Sequence, residues 1–298
     1  MRTQTIEDFE CIVIDDGSTD DSLKVIGRYL DDDRFHLLRQ RHGGQAKAKN
    51  RGLEAANGQF VAFLDADDYW LPHKLERQLQ RFSDPAIGVV FTRRKLIDAD
   101  GQPMSIADRP QPARASLNAL FRQNFICFSS ALLRRQVVEH VGLFDERLDL
   151  GIDYDYWLRV ARHYRFDYVD ESLAAYRVGH ANLSRRQLER LHTARMIMKR
   201  FRRHYGGDER LDPRAVAHAE AETLHHLSVI SRGFSRKDAI GWSLRALLVN
   251  PTYTLAWRGL VSALAPTVVR RCWRMLRGAD GAWERHCYTA SNRPETIL

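Results

Sequence analysis

The chain has 298 residues, 44% of them hydrophobic, enough for one large domain with an appendage or two modest domains, and too apolar for global disorder. Lys and Arg number 46 against 38 Asp and Glu, a net charge of +8 that favours anionic partners: nucleotides, nucleic acid or anionic lipid surfaces. The four cysteines (Cys11, Cys127, Cys272, Cys287) are scattered and form no C-x-x-C pair, so neither a zinc site nor a disulfide framework is suggested and the setting reads as reducing and cytoplasmic.

The opening "MRTQTIEDFE" carries no apolar h-region and does not read as a signal peptide. "FECIVIDDGSTDDSLKVIGRYL" reads as strand, turn and helix. Phe9 to Ile14 is a short β-branched run suited to a strand buried on both faces. Thr19 or Asp20 can cap the helix, whose stripe is Leu23, Ile26 and Leu30. "FHLLRQ" is a second strand, followed by a Gly-rich loop and a helix in "HGGQAKAKNRGLEAANG". "QFVAFL" is a third strand, "LPHKLERQLQRF" a helix with Pro72 in its first turn, and "IGVVFTRRKLID" a further strand. Asp98 to Ala115 is polar and Pro-containing, a loop. "GIDYDYWLRVARHY" is a helix and "RFDYVDESLAAYRV" two short strands. Strands alternating with helices predict an α/β fold, a mainly parallel sheet with helices on both faces. Beyond Ser184 helical periodicity takes over, so residues 1–184 are read as one domain and 185–298 as an α-helical region. "AIGWSLRALLVNPTYTLAWRGLVSAL" predicts helix, Asn-Pro turn, helix, without a second copy. No apolar run reaches the roughly 18 residues of a membrane-spanning helix.

Four groups of residues can carry chemistry. Asp65-Ala66-Asp67 ends an apolar strand, where open α/β sheets bind ligands. Two carboxylates one residue apart can hold Mg²⁺ or Mn²⁺, or can merely cap the helix beginning near Leu71. Asp15 and Asp16 also end a strand, and there a carboxylate accepts from a base N–H or ribose hydroxyl, or serves an ordinary Asp-Gly turn. Asp153 at a helix start is placed to act as a general base, with Asp155 its rival, read as an exposed charge, and Arg159 a partner for either. Arg177 and His180 follow the last strand; Arg suits a diphosphate and His a metal or phosphate oxygen, unless both belong to a surface loop. No Ser-His-Asp order, P-loop or G-x-G-x-x-G occurs, and no aromatic-basic motif supports nucleic-acid binding.

"DFECIVIDDGSTDDS", "GGQAKAKNRGLEAANGQFVAFLDADDYWLPHKL", "GLFDERLDLGIDYDYWLRV" and "YRVGHANLS" occur in that order. Over roughly residues 4–184 the chain closely resembles the family 2 glycosyltransferases of GT-A fold. The resemblance implies an inverting transferase using a UDP- or dTDP-type nucleotide-diphosphate sugar and Mg²⁺ or Mn²⁺. It implies that Asp16, backed by Asp15, contacts the base or ribose, and that Asp65 and Asp67 form the D-x-D, with Asp67 the direct metal ligand. It places Asp153 as the base; the Glu that usually precedes it is here Ile152. Lys49 and Asn50 match an Arg-Asn pair of the donor site, a point charge replacing a fork. Relative to the family pattern the chain enters after a first strand and most of a first helix. That strand is expected beside Phe9 to Ile14, where its absence leaves an apolar edge. Met1 is accordingly read as an internal codon taken as a start, with a genuine truncation as the rival.

Two further readings stand beside this one. A non-catalytic remnant with a partner-binding helical region would not bind a nucleotide sugar. A nucleotidyltransferase would need a Gly-rich basic loop near the N-terminus, which is absent. The acceptor is a polysaccharide, a lipid-linked saccharide or a protein. "VVRRCWRMLRG" sets Arg270, Arg274 and Arg277 against Val269, Trp273 and Leu276, so it either lies on an anionic membrane as a peripheral contact or packs on the catalytic domain.

Overall fold

The computed structural model describes residues 1–104, 115–178 and 186–265. Its strands are β1 (Cys11–Asp15), β2 (Phe35–Arg39), β3 (Phe60–Ala62), β4 (Tyr69–Trp70), β5 (Ile87–Ile97), β6 (Leu132–Arg134) and β7 (Arg165–Arg177). Its helices are α1 (Ser22–Gly27), α2 (Gln45–Ala55), α3 (Lys74–Leu79), α4 (Leu117–Arg122), α5 (Arg135–Val141), α6 (Ile152–Ala161), α7 (Gln187–His204), α8 (Gly207–Arg210), α9 (Pro213–Ser231), α10 (Arg236–Val249) and α11 (Thr254–Leu264). The described residues form two compact units: those up to 178 with 192–216, and 186–191 with 217–265.

The first unit is α/β, and its larger sheet is mixed, with strand order β3-β6-β5-β7-β4. Only β5 and β7 pair in parallel; β6 runs against both β3 and β5, and β4 against β7. The three strands β3, β5 and β7 therefore share a direction, and β4 and β6 oppose them. β7 is one strand where the sequence suggests two: opposite Thr92 and Arg93 its register steps from Val169 to Ser172. The polar "DE" between them is absorbed as a bulge. Val90, Leu132, Leu173 and Ala174 from the sheet pack with Trp70, Leu75 and Phe82 to form the core.

β1 and β2 form a separate parallel pair. Residues 11 to 14 are half-buried, not buried on both faces, and the second edge of β1 carries no strand among the described residues. The Glu10 carboxylate spans from the start of β1 to the start of β3, accepting from the amides of Asn57 (2.5 Å) and Gly58 (3.0 Å). The stripe expected on α1 has no buried residue, and Leu30 is exposed. The N-cap is Asp21 without a side-chain cap; Asp20 accepts from the Ser22 amide instead.

The boundary read at 184 divides the structure differently from its packing. Residues 192–216 belong with the sheet because Ile197, Met198 and Phe201 of α7 bury their side chains there, with the Phe201 ring 6.4 Å from that of Phe121. The Ile197 side chain reaches Gly151, which adopts φ 70° at the start of α6; a Cβ there would stand 3.0 Å from Ile197 Cδ1. Asp155, read as an exposed charge, is buried: it pairs with Arg159 at 3.0 Å and with Arg200 of α7. Removing it leaves buried Arg159 without a carboxylate and Arg200 with Asp145 alone. Asp155→Ala is expected to cost about 3–5 kcal/mol in chemical denaturation, and a cost under about 1 kcal/mol would mean that solvent already screens the cluster.

Lys74 opens α3 fully buried. Its Nζ donates to Gln78 Oε1 at 2.8 Å and lies 4.0 Å from the Trp70 ring centroid. Burial pushes the amine down to about 7. The unfolded chain then binds more protons than the folded one above that pH, so stability rises as pH rises. The effect is read between pH 7 and about 8.5, below the ordinary thiol range; burial holds Cys127 up to about 11. Over that window wild type should gain at most about 1.4 kcal/mol per pH unit relative to Lys74→Met. Parallel denaturation curves for the two proteins at both pH values would sink this.

In the second unit α10 and α11 form the expected hairpin about Asn250-Pro251. Ala246, Leu247, Ala256 and Leu260 pack with Leu224 and Leu227 of α9. Arg236 donates to the carbonyls of Ala263 (2.6 Å) and Leu264, satisfying the open end of α11. Among the described residues no helix is long and apolar enough to cross a membrane.

Candidate active site

Capping does not explain Asp65 and Asp67. The chain leaves β3 at Ala62, and β4 stands between the two carboxylates and α3, whose N-cap is His73. The Asp68 amide donates to the Asp65 carbonyl at 3.0 Å and closes residues 65–68 into a turn. Asp65 is half-buried and its Oδ1 accepts from Lys49 Nζ at 2.6 Å. Asp67 is exposed, and its carboxylate makes no hydrogen bond or ion pair to the described residues. Arg177, the last residue of β7, donates from Nε to the Asp67 carbonyl (2.9 Å) and from its terminal nitrogen to the carbonyls of Asp98 (3.0 Å) and Ala99 (2.8 Å). His180 lies outside the described residues.

At the end of β1, buried Asp15 accepts from the Ser18 amide at 3.0 Å and from Arg39 Nε at 3.4 Å. The Ser18 bonds hold its carboxyl below the usual range. Burial alone would raise Asp16, but its donors outweigh burial and lower it. Those donors are Gln40 Nε2 (2.7 Å) and the Gly43 and Gly44 amides (2.9 Å each); the His42 ring stands 2.9 Å from Oδ2 but makes its hydrogen bond to the Asp16 carbonyl at 3.3 Å. Gly44 holds φ 87° as the N-cap of α2, a conformation that favours glycine. A carboxylate has about four lone-pair sites, and three of those of Asp16 take hydrogen bonds. A base or ribose hydroxyl reaches the fourth site past the His42 ring, which is 81% exposed. No hydrogen bond or ion pair joins Asp15 or Asp16 to Asp65 or Asp67.

Helix α2 ties several of these pieces together. Lys49 reaches the 65–68 turn. The next residue, buried Asn50, clamps the segment before α6, giving Nδ2 to Phe144 O and Glu146 Oε1 (3.0 Å each) and taking the Phe144 amide at 2.9 Å. Gln45 Nε2 donates to Asp149 O at 2.9 Å. Asn50 thus spends its amide on the protein, and the cavity of about 490 Å³ beside it, lined by Lys47, Asn50, Arg51 and Glu54, lies on the α2 face away from Asp65.

Two residues absent from the sequence reading complete the arrangement, both in the stretch between α4 and β6. Asn124 Nδ2 donates to Asp153 Oδ2 at 2.6 Å, and Asp153 is half-buried in the first turn of α6. Ser129, fully buried in a 3₁₀ turn over Phe128–Ser130, accepts from the Asp65 amide at 3.1 Å and donates to Asp68 Oδ2 at 2.5 Å. Burial pushes Asp68 up to about 6, reinforced by the Asp67 and Asp65 charges and opposed by its hydrogen bonds. The signal for Ser129 was a Ser-Ser pair inside the apolar run "FICFSSALL"; nothing in the sequence distinguished Asn124.

The donor set fits a hard divalent cation: two oxygen ligands on one turn, one of them unpaired. Among the described residues no group of three His, Cys, Asp or Glu could hold a metal, so water and substrate oxygens would have to complete its shell.

The fold is that of the GT-A glycosyltransferases. A mannosyltransferase from Pyrobaculum calidifontis, solved with GDP-Man and Mn²⁺, is 19% identical with a TM-score of 0.57, covering 97% of this chain and 81% of that one. S. aureus TarS 1-349 in complex with UDP-GlcNAc is 16% identical with a TM-score of 0.54, covering 92% and 85%. The model of glycosyl transferase family 2 matches residues 1–142. The putative teichuronic acid biosynthesis glycosyltransferase TuaG of Bacillus subtilis is 30% identical over 201 residues, 62% of this chain and 78% of that protein. The chain belongs to glycosyltransferase family 2. It spans 69%, 48% and 58% of three further curated relatives.

Proposed function

We propose that the protein is an inverting glycosyltransferase that moves a sugar from a UDP- or dTDP-type nucleotide-diphosphate sugar to an acceptor hydroxyl, in the synthesis of a cell-surface polysaccharide or glycolipid. One observation carries the reading. The stretch between α4 and β6 holds Asp153 through Asn124 and the Asp65–Asp68 turn through Ser129, so a base and a pair of metal-type carboxylates are organised by one loop. Relatives named for chondroitin and teichuronic acid synthesis support the polysaccharide assignment.

Asp153 Oδ takes the proton of the acceptor hydroxyl. The acceptor oxygen forms its bond to the anomeric carbon as the bond from that carbon to the diphosphate oxygen breaks on the opposite face, and the configuration inverts. The proton stays on Asp153, held in place by Asn124. Lys49 beside Asp65 and Arg177 beside Asp67 bring positive charge to the leaving diphosphate. Mg²⁺ or Mn²⁺, held by Asp65 and Asp67 with His180 as a further candidate ligand, would supply Lewis-acid neutralisation of that diphosphate. Calorimetric titration with UDP, with and without Mn²⁺, tests the reading: binding should weaken sharply, without vanishing, when the metal is chelated, and a folded sample that binds no nucleoside diphosphate overturns it.

The second unit favours a peripheral membrane contact. The described residues of this unit hold seven Lys and Arg against four acids. Exposed Leu244 and Leu248 on α10, and Trp257, Val261 and Leu264 on α11, each form a stripe flanked by exposed Arg245 or Arg258. Apolar stripes edged with Arg suit the headgroup layer of an anionic bilayer. The protein should sediment with phosphatidylglycerol vesicles and lose most of that binding in Leu248→Glu/Trp257→Glu. Equal sedimentation of the two proteins would sink the idea. The amphipathic "VVRRCWRMLRG" lies outside the described residues.

A further inference from the structure

We propose that Ser129 and Asp68 are positioning residues that set the spacing and direction of the Asp65 and Asp67 carboxylates; this rests on the metal-dependent reading above. Two carboxylates on a surface turn bind a small cation well only if the turn holds still, because an octahedral ion tolerates little misplacement. Four of the eight backbone N–H and C=O groups of the 65–68 turn are held. The Asp65 amide donates to Ser129 Oγ, and the Asp65 carbonyl takes the Asp68 amide. The Asp67 carbonyl takes Arg177 Nε. The Asp68 carboxylate points inward, only 9% exposed, where Oδ2 takes the Ser129 hydroxyl and Oδ1 takes the Arg177 amide at 3.0 Å.

Ser129 is itself fixed. Its carbonyl accepts from Trp70 Nε1 at 2.6 Å, and the next carbonyl, of Ser130, accepts from Gln78 Nε2 at 2.9 Å. The turn is thus pinned on one side to the 3₁₀ turn before β6 and on the other to the end of β7. Holding a carboxylate in this interior is costly unless its oxygens are satisfied, and the satisfied oxygens of Asp68 bridge the two anchors. What remains outward are the Asp65 and Asp67 side chains.

Positioning and charge make opposite predictions for two variants. In Asp68→Asn the amide Nδ2 can donate to Ser129 Oγ, which accepts twice, while Oδ1 keeps the Arg177 amide; the turn stays pinned with one charge fewer. In Ser129→Ala the charge stays and the pin is lost. Free Mn²⁺ is followed by its paramagnetic resonance signal in titrations with UDP present, and UDP affinity is measured separately in chelator. Ser129→Ala is expected to weaken Mn²⁺ binding by about tenfold or more, the range of outer-shell metal partners, with metal-free UDP affinity unchanged. Asp68→Asn should stay within about threefold of wild type. Ser129→Ala/Asp68→Asn, which leaves no unpaired buried charge, should regain melting temperature without regaining Mn²⁺ affinity. Unchanged Mn²⁺ binding in Ser129→Ala, an equal loss in Asp68→Asn, or recovery of affinity along with melting temperature overturns the proposal alone. Wild type that binds neither Mn²⁺ nor UDP overturns the metal-dependent reading and this proposal with it.

Discussion

Asp153→Asn is expected to lower kcat by roughly 10²–10⁴-fold, the range supplied by a positioned general base. Affinity for UDP with Mn²⁺ should be unchanged. The physical reason is that Asn keeps the volume of Asp and an oxygen facing Asn124 Nδ2, but cannot hold the acceptor's proton. Asp153 sits in the first turn of α6, whose register is locked by fully buried Tyr156, Trp157 and Val160, so the side chain at 153 has little freedom to relocate. The split between kcat and donor binding is what separates a base from a donor ligand. A fall under tenfold would move the base elsewhere. A matching fall in UDP affinity would place Asp153 in the donor site.

Asp67→Asn is expected to remove Mn²⁺-supported UDP binding by at least about 100-fold, the upper end of what even outer-shell partners cost. The Asp67 carboxylate is exposed and carries no protein partner among the described residues, so no internal bond is lost with it. Stability should therefore stay within about 0.5 kcal/mol of wild type, as for ordinary surface substitutions. Asp65→Asn differs in kind, because it also releases Lys49 from its 2.6 Å pair. That variant should show the same loss of metal-supported binding while freeing a cation beside the diphosphate. If Asp67→Asn binds UDP and Mn²⁺ like wild type, the pair of aspartates is not the metal site.

The long elements were legible because periodicity needs length. Helices α2 and α6 and strand β5 run for ten or more residues and appear where their apolar spacing puts them. β6 and β4, at three and two residues, are too short to show alternation, yet they make the sheet mixed. The same limit hid the unity of β7: "VDES" reads as a break, and only the pairing with β5 shows a bulge within one strand. In the site, Asp65, Asp67 and Asp153 stood out through position, at the end of an apolar run or the start of a helix. Asn124 and Ser129 had no such marker, because their importance comes from residues 29 and 61 to 64 positions away.

Asp155 shows why local reading misjudges charge. Two residues from Asp153 on the same helix, it looks like a solvated neighbour. Helix geometry turns it inward, and Arg200, 45 residues on, makes burial affordable. Arg200 also explains why the compact unit reaches past the boundary suggested by composition: a polar, Arg-rich helix can still bury one face.

By itself the sequence determined the α/β class, the helical character of the second half, and the carboxylates that end β1, follow β3 and open α6. These follow from side-chain pattern and backbone preference along the chain, which are properties of neighbours. The tertiary structure decided which strands run antiparallel, where the first unit ends, that Asn50 is spent on a loop, and that Asp68 faces inward to Ser129 rather than outward with Asp65 and Asp67. Those depend on which distant groups satisfy each buried donor and acceptor, and that accounting closes only when the chain is folded.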